Sequence, residues 1–127
     1  LRPLNGSVCV ASLGTAAWLH GLGELKPEPI TFSHPNRKQT RNPSVRFLRR
    51  SLPADDVCIV EGIPTTTPER TILDLLDYEE DLSLVAATLR DLELSDPAAK
   101  ISDKVNSRAE KCGFDKGFDL YAYLGRA

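Results

Sequence analysis

A chain of 127 residues with 41% hydrophobic and 27% charged side chains has the balance of one soluble globular domain, long enough to bury a core. No apolar run approaches the roughly 18 residues of a spanning helix and no signal peptide is visible, so no membrane partner is expected and the setting reads as cytoplasmic. The net charge is only −2, yet its distribution is strongly uneven.

In chain order, "SLGTAAWLHGLGEL" reads as a short helix capped near Ser12 and ended by Gly21 or Gly23. Leu13, Ala16, Ala17 and His20 fall at helical spacing, with Trp18 and Leu22 beside that stripe. "PITFSHP" alternates Ile30 and Phe32 against polar residues, as a strand does, and "NRKQTRNP" is an exposed loop. "SVRFLRRSL" alternates again, with Val45 and Phe47 on one side and Arg46, Leu48 and Arg50 on the other. "VCIVEG" is continuously apolar and reads as a central strand. The chain then turns through Gly62 and Pro64 and enters a helix at Pro68.

Three further helices are expected. "DLSLVAATLRDLEL" places Leu82, Val85, Ala86, Leu89 and Leu92 on one stripe. "SDPAAKISDKVNSRAEKCG" has Asp96 as N-cap, Pro97 at the first helical position and Gly113 as its stop. "DKGFDLYAYLG" is a last helix with Phe118, Tyr121 and Leu124 inward. The expected fold is therefore α+β: an N-terminal helix, a small mixed β-sheet of three to four strands, then about four C-terminal helices packed on it.

Motifs for chemistry are sparse. There is no nucleophile elbow and no phosphate-cradling glycine loop, so no catalytic residue is expected. Cys9, Cys58 and Cys112 are far apart, and His20 and His34 lack ligand-like neighbours at metal spacing. Reduced thiols, no metal and no cofactor are the expectation. A restriction-endonuclease-like nuclease is the enzyme alternative, in degenerate or partner-dependent form. Its Glu-x-Lys triplet occurs only as Glu24-Leu25-Lys26, with no acid before it.

Charge segregation points to binding instead. From Pro29 to Ala54 there is no acid, while Arg37, Lys38, Arg41, Arg46, Arg49 and Arg50 supply six cations. These are the candidate nucleic-acid or partner contacts, against the plainer reading of a charged strand edge that discourages aggregation. From Asp74 to Asp96, eight acids face only Arg90, mostly as solvated helix faces.

The segment "EGIPTTTPERTILDLL" combines several local devices. Thr67 can cap the helix, Thr66 with Glu69 could instead form a capping box, and Pro68 needs no N–H at the first helical position. Arg70 and Asp74 stand four apart and can pair. Arginine's five donors could also tie the unpaired carbonyls at the strand ends.

Taken together, "SLGTAAWLHGL", "PITFSHP", "VRFLRRSLPADDV" and "EGIPTTTPERTILDLL" resemble the AbiEi-type antitoxin family of bacterial type IV toxin–antitoxin systems. The pattern G-x-P-x-T-T-P-x-R-T-x-x-D-L is met by Gly62, Pro64, Thr66, Thr67, Pro68, Arg70, Thr71, Asp74 and Leu75. The likeness covers about Val8 to Leu76, with a looser fit in the later helices. It implies a two-part protein. An N-terminal winged helix–turn–helix would bind the operon's promoter, and the following domain would counteract a nucleotidyltransferase-like toxin. Some relatives are classed only as transcriptional regulators. With no methionine anywhere, residues 1–127 are expected to be the effector domain of a longer protein, without the winged helix. The toxin partner need not be held in a stable complex, and the motif residues read as structural.

Overall fold

The computed structural model describes residues 8–22, 29–36, 38–78 and 81–124. Arg37, Gly23, the Glu24–Lys26 triplet and two of the eight acids, Glu79 and Glu80, lie outside them. The elements are β1 (Val10–Ala11), α1 (Leu13–Leu19), β2 (Ile30–His34), β3 (Val45–Arg49), β4 (Val57–Val60), β5 (Ile63–Thr66), α2 (Pro68–Asp77), α3 (Leu82–Ser95), α4 (Ile101–Ala109) and α5 (Leu120–Leu124). This is the expected α+β layout of a helix, a mixed sheet and C-terminal helices, with five strands where three to four were read.

Strand order is β3-β2-β1-β5-β4. β1 runs antiparallel to β2 and parallel to β5, β2 and β3 are parallel, and β4 and β5 form an antiparallel hairpin. The extra central strand is β1, whose two residues are too few to show alternation. β4 corrects the sequence reading: among the described residues it pairs only with β5, and Ile59 is 64% exposed. Its apolar run is an edge, because a run alone does not report how many neighbours a strand has. β3 is the other edge and carries the arginines, in keeping with protection against sheet-to-sheet pairing.

Register assigns the faces. Phe47, Phe32, Ala11 and Thr65 align across four strands on one side, and Leu48, Ser33 and Val10 on the other. The second side meets the helices, since Leu48 packs on the main core cluster. On β2 the buried members of the alternation are therefore the polar ones, Thr31 and Ser33, while Phe32 stacks obliquely on Phe47 at 6.2 Å on the far face. Hydrogen bonds make this burial tolerable: Thr15 Oγ1 accepts from Thr31 N at 2.8 Å, and the Ser12 and Ser33 hydroxyls lie 2.8 Å apart. Ser12 begins α1, but its hydroxyl is spent on Val10 O and Ser33 rather than on capping the helix.

Helix α2 is the hub. Every residue from Thr71 to Leu76 is buried, and the helix packs against α1, α3 and α4. Ile72, Leu73, Leu75 and Leu76 join Leu13 and Ala17 of α1, Val85 and Leu89 of α3, Val105 and Ala109 of α4, and Leu120 of α5 in one cluster. At 25 cal/mol per Å2 of apolar surface, each fully buried leucine or isoleucine contributes roughly 1.5–3 kcal/mol.

Two helices differ from the sequence reading. The stretch from Asp96 to Gly113 is not one helix: a 3-10 turn covers Pro97–Ala99, Lys100 adopts the left-handed conformation at φ 50°, and α4 starts at Ile101. Asp96 makes no side-chain cap, and Ala98 is exposed. The last helix begins only at Leu120, after Gly117 at φ 82°. That late start turns Leu120 inward and leaves Tyr121 56% exposed. Phe118 packs ahead of the helix, 4.9 Å from the Phe114 ring and 5.6 Å from that of Tyr123.

Candidate functional site

The segment from Glu61 to Leu76 is a hairpin turn followed by a capped helix. Glu61 and Gly62 both have positive φ, 50° and 80°, and connect the closing pair Val60–Ile63. Two such residues form the mirror-type turn that hairpins favour, and glycine relieves the strain at the second. In such a hairpin the closing pair exchanges hydrogen bonds and the next pair, Ile59–Pro64, does not, so the missing N–H of Pro64 takes nothing from β4. Thr67 is the N-cap, its hydroxyl accepting from Arg70 N at 3.3 Å, with Pro68 following. Thr66 does not form the alternative capping box. Its hydroxyl lies 2.7 Å from that of Thr71, and its carbonyl accepts from His20 Nε2 at 2.8 Å. Thr71 Oγ1 also donates to Thr67 O at 2.8 Å.

Arg70 and Asp74 do pair, with Arg70 Nε 2.9 Å from Asp74 Oδ1. The pair is one link of a longer chain. Arg70 Nη1 donates to Asp56 Oδ2 at 2.9 Å, and Asp56 Oδ1 accepts from Arg108 Nε at 2.7 Å. At the other end Asp74 accepts two bonds from Arg50, at 3.0 and 2.7 Å, and Arg50 Nε donates to Ser33 at 2.7 Å. Five alternating charges thus join the end of β3, the turn before β4, α2 and α4. Arg70 binds carboxylates and not the strand-end carbonyls that its donors were expected to tie. Asp56 closes the arrangement through its backbone, since its carbonyl accepts from Thr67 N at 2.9 Å beside the cap.

Burial makes the chain stringent. The Asp56 and Asp74 side chains are 1% and 3% exposed, and that of Arg70 is 15% exposed. Enclosing a carboxylate costs free energy unless cations and hydrogen-bond donors replace the lost water. Each aspartate here touches two guanidinium groups. Burial alone pulls the Arg70 guanidinium down, but Asp74, Cys112 and Asp56 together hold it above its ordinary value. The hydrogen bond to Asp56 raises Arg108 likewise. The Cys112 thiol, 3.5 Å from Arg70 Nη1, is pushed up by burial despite that arginine, which argues against a reactive nucleophile. Burial and then Glu69 push Cys58 up as well.

The basic tract divides accordingly. Arg50 points into the network and lies 5.8 Å from the Tyr78 ring, whereas Lys38, Arg41, Arg46 and Arg49 are exposed along the β2–β3 loop and β3. A second basic feature escaped the sequence reading. Lys100, Lys104, Arg108 and Lys111 recur at helical spacing along α4 and, with Glu69 and Asp103, border a groove of about 390 Å3. The four-residue recurrence from Lys100 to Arg108 is the signal in the sequence that could have found it. Among the described residues, no group of three or more His, Cys, Asp or Glu is placed to hold a metal ion, and no helix is long and apolar enough to cross a membrane.

A mixed sheet laid on a buried hub helix and fastened to it by an arginine–aspartate chain defines a small α+β domain. The chain belongs to the AbiEi antitoxin family, matching the AbiEi antitoxin C-terminal domain over residues 9–113. That membership supports an antitoxin or regulator role. No curated protein and no solved structure matches the chain at a significant level.

Proposed function

We propose that residues 1–127 form a single non-enzymatic effector domain that acts in the cytoplasm by binding. It counteracts a nucleotidyltransferase-like toxin and supports autoregulation of its operon together with a winged helix–turn–helix elsewhere in a longer protein. The observation that carries this reading is the family match across residues 9–113. The motif residues fit such a domain as scaffold: Gly62 makes the turn, Thr67 and Pro68 start α2, and Arg70 and Asp74 lock it to its neighbours. The exposed cations Lys38, Arg41, Arg46 and Arg49 are the surface offered to an anionic partner. No observation favours the nuclease alternative.

Co-expression tests the reading. Cells carrying a nucleotidyltransferase-like toxin from the same operon should grow when residues 1–127 are supplied and stop growing when they are not. Failure to rescue by a chain shown to be folded would refute the assignment. Metal-dependent cleavage of DNA or RNA that survives repurification and is lost on changing one carboxylate would replace it with the nuclease.

A further inference from the structure

The two edges of the sheet are guarded differently. β3 carries Arg46 and Arg49, both exposed, which discourage a further strand from pairing there. β4, at the other edge, has no charge and no proline in Val57–Val60, and its only protection is its shortness. Ile59 stands within it at 64% exposure. Register shows which backbone groups are free. Bonded and unbonded pairs alternate along the β4–β5 ladder. Val60–Ile63 closes the hairpin with hydrogen bonds, Cys58–Thr65 repeats them, and the Asp56 carbonyl continues the series by accepting from Thr67 N. Val57 and Ile59 are the unbonded members between, so their N–H and C=O groups point away from β5. The Val57 N–H donates to Ala54 O. The Val57 carbonyl and both backbone groups of Ile59 remain along the outer edge.

Such a row supplies the main-chain bonds of strand addition, and Ile59 supplies an apolar side chain for the added strand to cover. Charge selects the occupant. Residues 51–69 hold Asp55, Asp56, Glu61 and Glu69 and no lysine or arginine. Asp56 is matched by Arg70 and Arg108, but the other acids form no ion pair among the described residues. Asp55 and Glu61 flank the edge, one at each end, and both are exposed. Glu69, from α2, acts on the middle of the strand, where it helps to raise the Cys58 thiol. Pairing two β4 edges of separate copies would bring these acids together, whereas a strand with cations near its ends meets them favourably.

We propose that the free edge of β4 is a docking site for an extended segment of a partner protein, apolar opposite Ile59 and carrying lysine or arginine near both ends. The edge does not depend on the antitoxin role, and neither does its test. The isotope-labelled 127-residue chain is titrated with a short peptide of alternating valine and threonine with a lysine at each end. Amide NMR follows the titration at about 0.15 M salt, where loose surface attraction is screened. Saturable shifts centred on Val57–Val60, slowed exchange of the Ile59 amide and Kd below about 1 mM are expected. The same peptide with alternate backbone nitrogens methylated should not bind, because it lacks the donors that the Val57 and Ile59 carbonyls accept. Ile59→Pro removes only an outward N–H from the ladder and should weaken binding at least about tenfold with unchanged circular dichroism. Asp55→Asn with Glu61→Gln keeps the backbone and should weaken it about fivefold. No saturation by about 10 mM peptide would overturn the proposal, as would equal binding of the methylated peptide or shifts centred on Arg46 and Arg49. Equal binding of a peptide with glutamate ends would overturn the choice of a basic occupant. Concentration-dependent protection of Ile59 without peptide, with a dimer in sedimentation, would overturn it in favour of a second copy.

Discussion

Replacing Arg70 by alanine removes two charge-assisted hydrogen bonds, to Asp56 and to Asp74, both 2.9 Å long. At about 1.5–3 kcal/mol each the loss would be roughly 3–6 kcal/mol if both carboxylates were stranded. They are not. Asp74 keeps its two hydrogen bonds from Arg50, and Asp56 keeps Arg108, so the lower end, about 3 kcal/mol, is the expected cost. Since the Arg70 side chain is only 15% exposed, solvent screening takes little from this figure. With a urea m-value near 2 kcal/mol/M, the midpoint should fall by about 1.5 M. Far-UV circular dichroism is the suitable probe, because Trp18 is more than half exposed and reports poorly on the core. Arg70→Lys should recover about half the loss, because a single ammonium cannot span both carboxylates as the fork does. The Arg70→Ala, Asp74→Ala cycle should show about 1–2 kcal/mol of coupling. The reasoning is refuted if Arg70→Ala unfolds within about 0.5 kcal/mol of the parent while Leu73→Ala costs the usual 2–5 kcal/mol. Full stability combined with failure to rescue cells would make the arginine a functional surface instead.

If the four exposed cations of the β2–β3 edge meet phosphates on double-stranded DNA, log K should fall against log salt with a slope of about −3.6, and Arg46→Ala with Arg49→Ala should bring it to about −1.8; an unchanged slope would remove this edge from the interface. Asp81 caps α3 by accepting from Ser83 N at 2.8 Å and Ser83 Oγ at 2.6 Å, which holds its carboxyl below the usual range. A lowered folded-state value means that the cap's contribution is present above the ordinary carboxylate range and is lost as pH falls through the folded value. The Ser83 amide should therefore lose its hydrogen-bonded chemical shift on acidification at lower pH than an unpaired aspartate titrates. A Ser83 transition at or above the ordinary value would contradict the cap.

What the sequence disclosed and what it hid follows from separation along the chain. The Thr67 cap, the Pro68 start and the Arg70–Asp74 pair are local, and stereochemistry over four residues suffices to anticipate them. Arg50, Asp56 and Arg108 join the same network across 24, 14 and 52 residues, and no local rule places them there. Arg50 looked like its neighbours in a basic tract because alternation gives a side, not a partner. Asp56 gave no signal at all, as an aspartate before a strand is ordinary turn chemistry. The break at Lys100 was hidden for a related reason: left-handed residues are usually glycine or asparagine, and a lysine there gives no warning.

The two-residue β1 has a mechanical consequence. It sits between β2 and β5 and is held by two antiparallel pairs on one side and a single parallel pair on the other. Tension applied to the backbone at Val8 would therefore load the middle of the sheet first, and peeling β1 would part β3-β2 from β5-β4. Tension applied from the α5 side would instead unwind α5 and α4 before any strand yielded. The domain is thus a fuse with a direction, weak toward a load on its N-terminal side and layered toward one on the other.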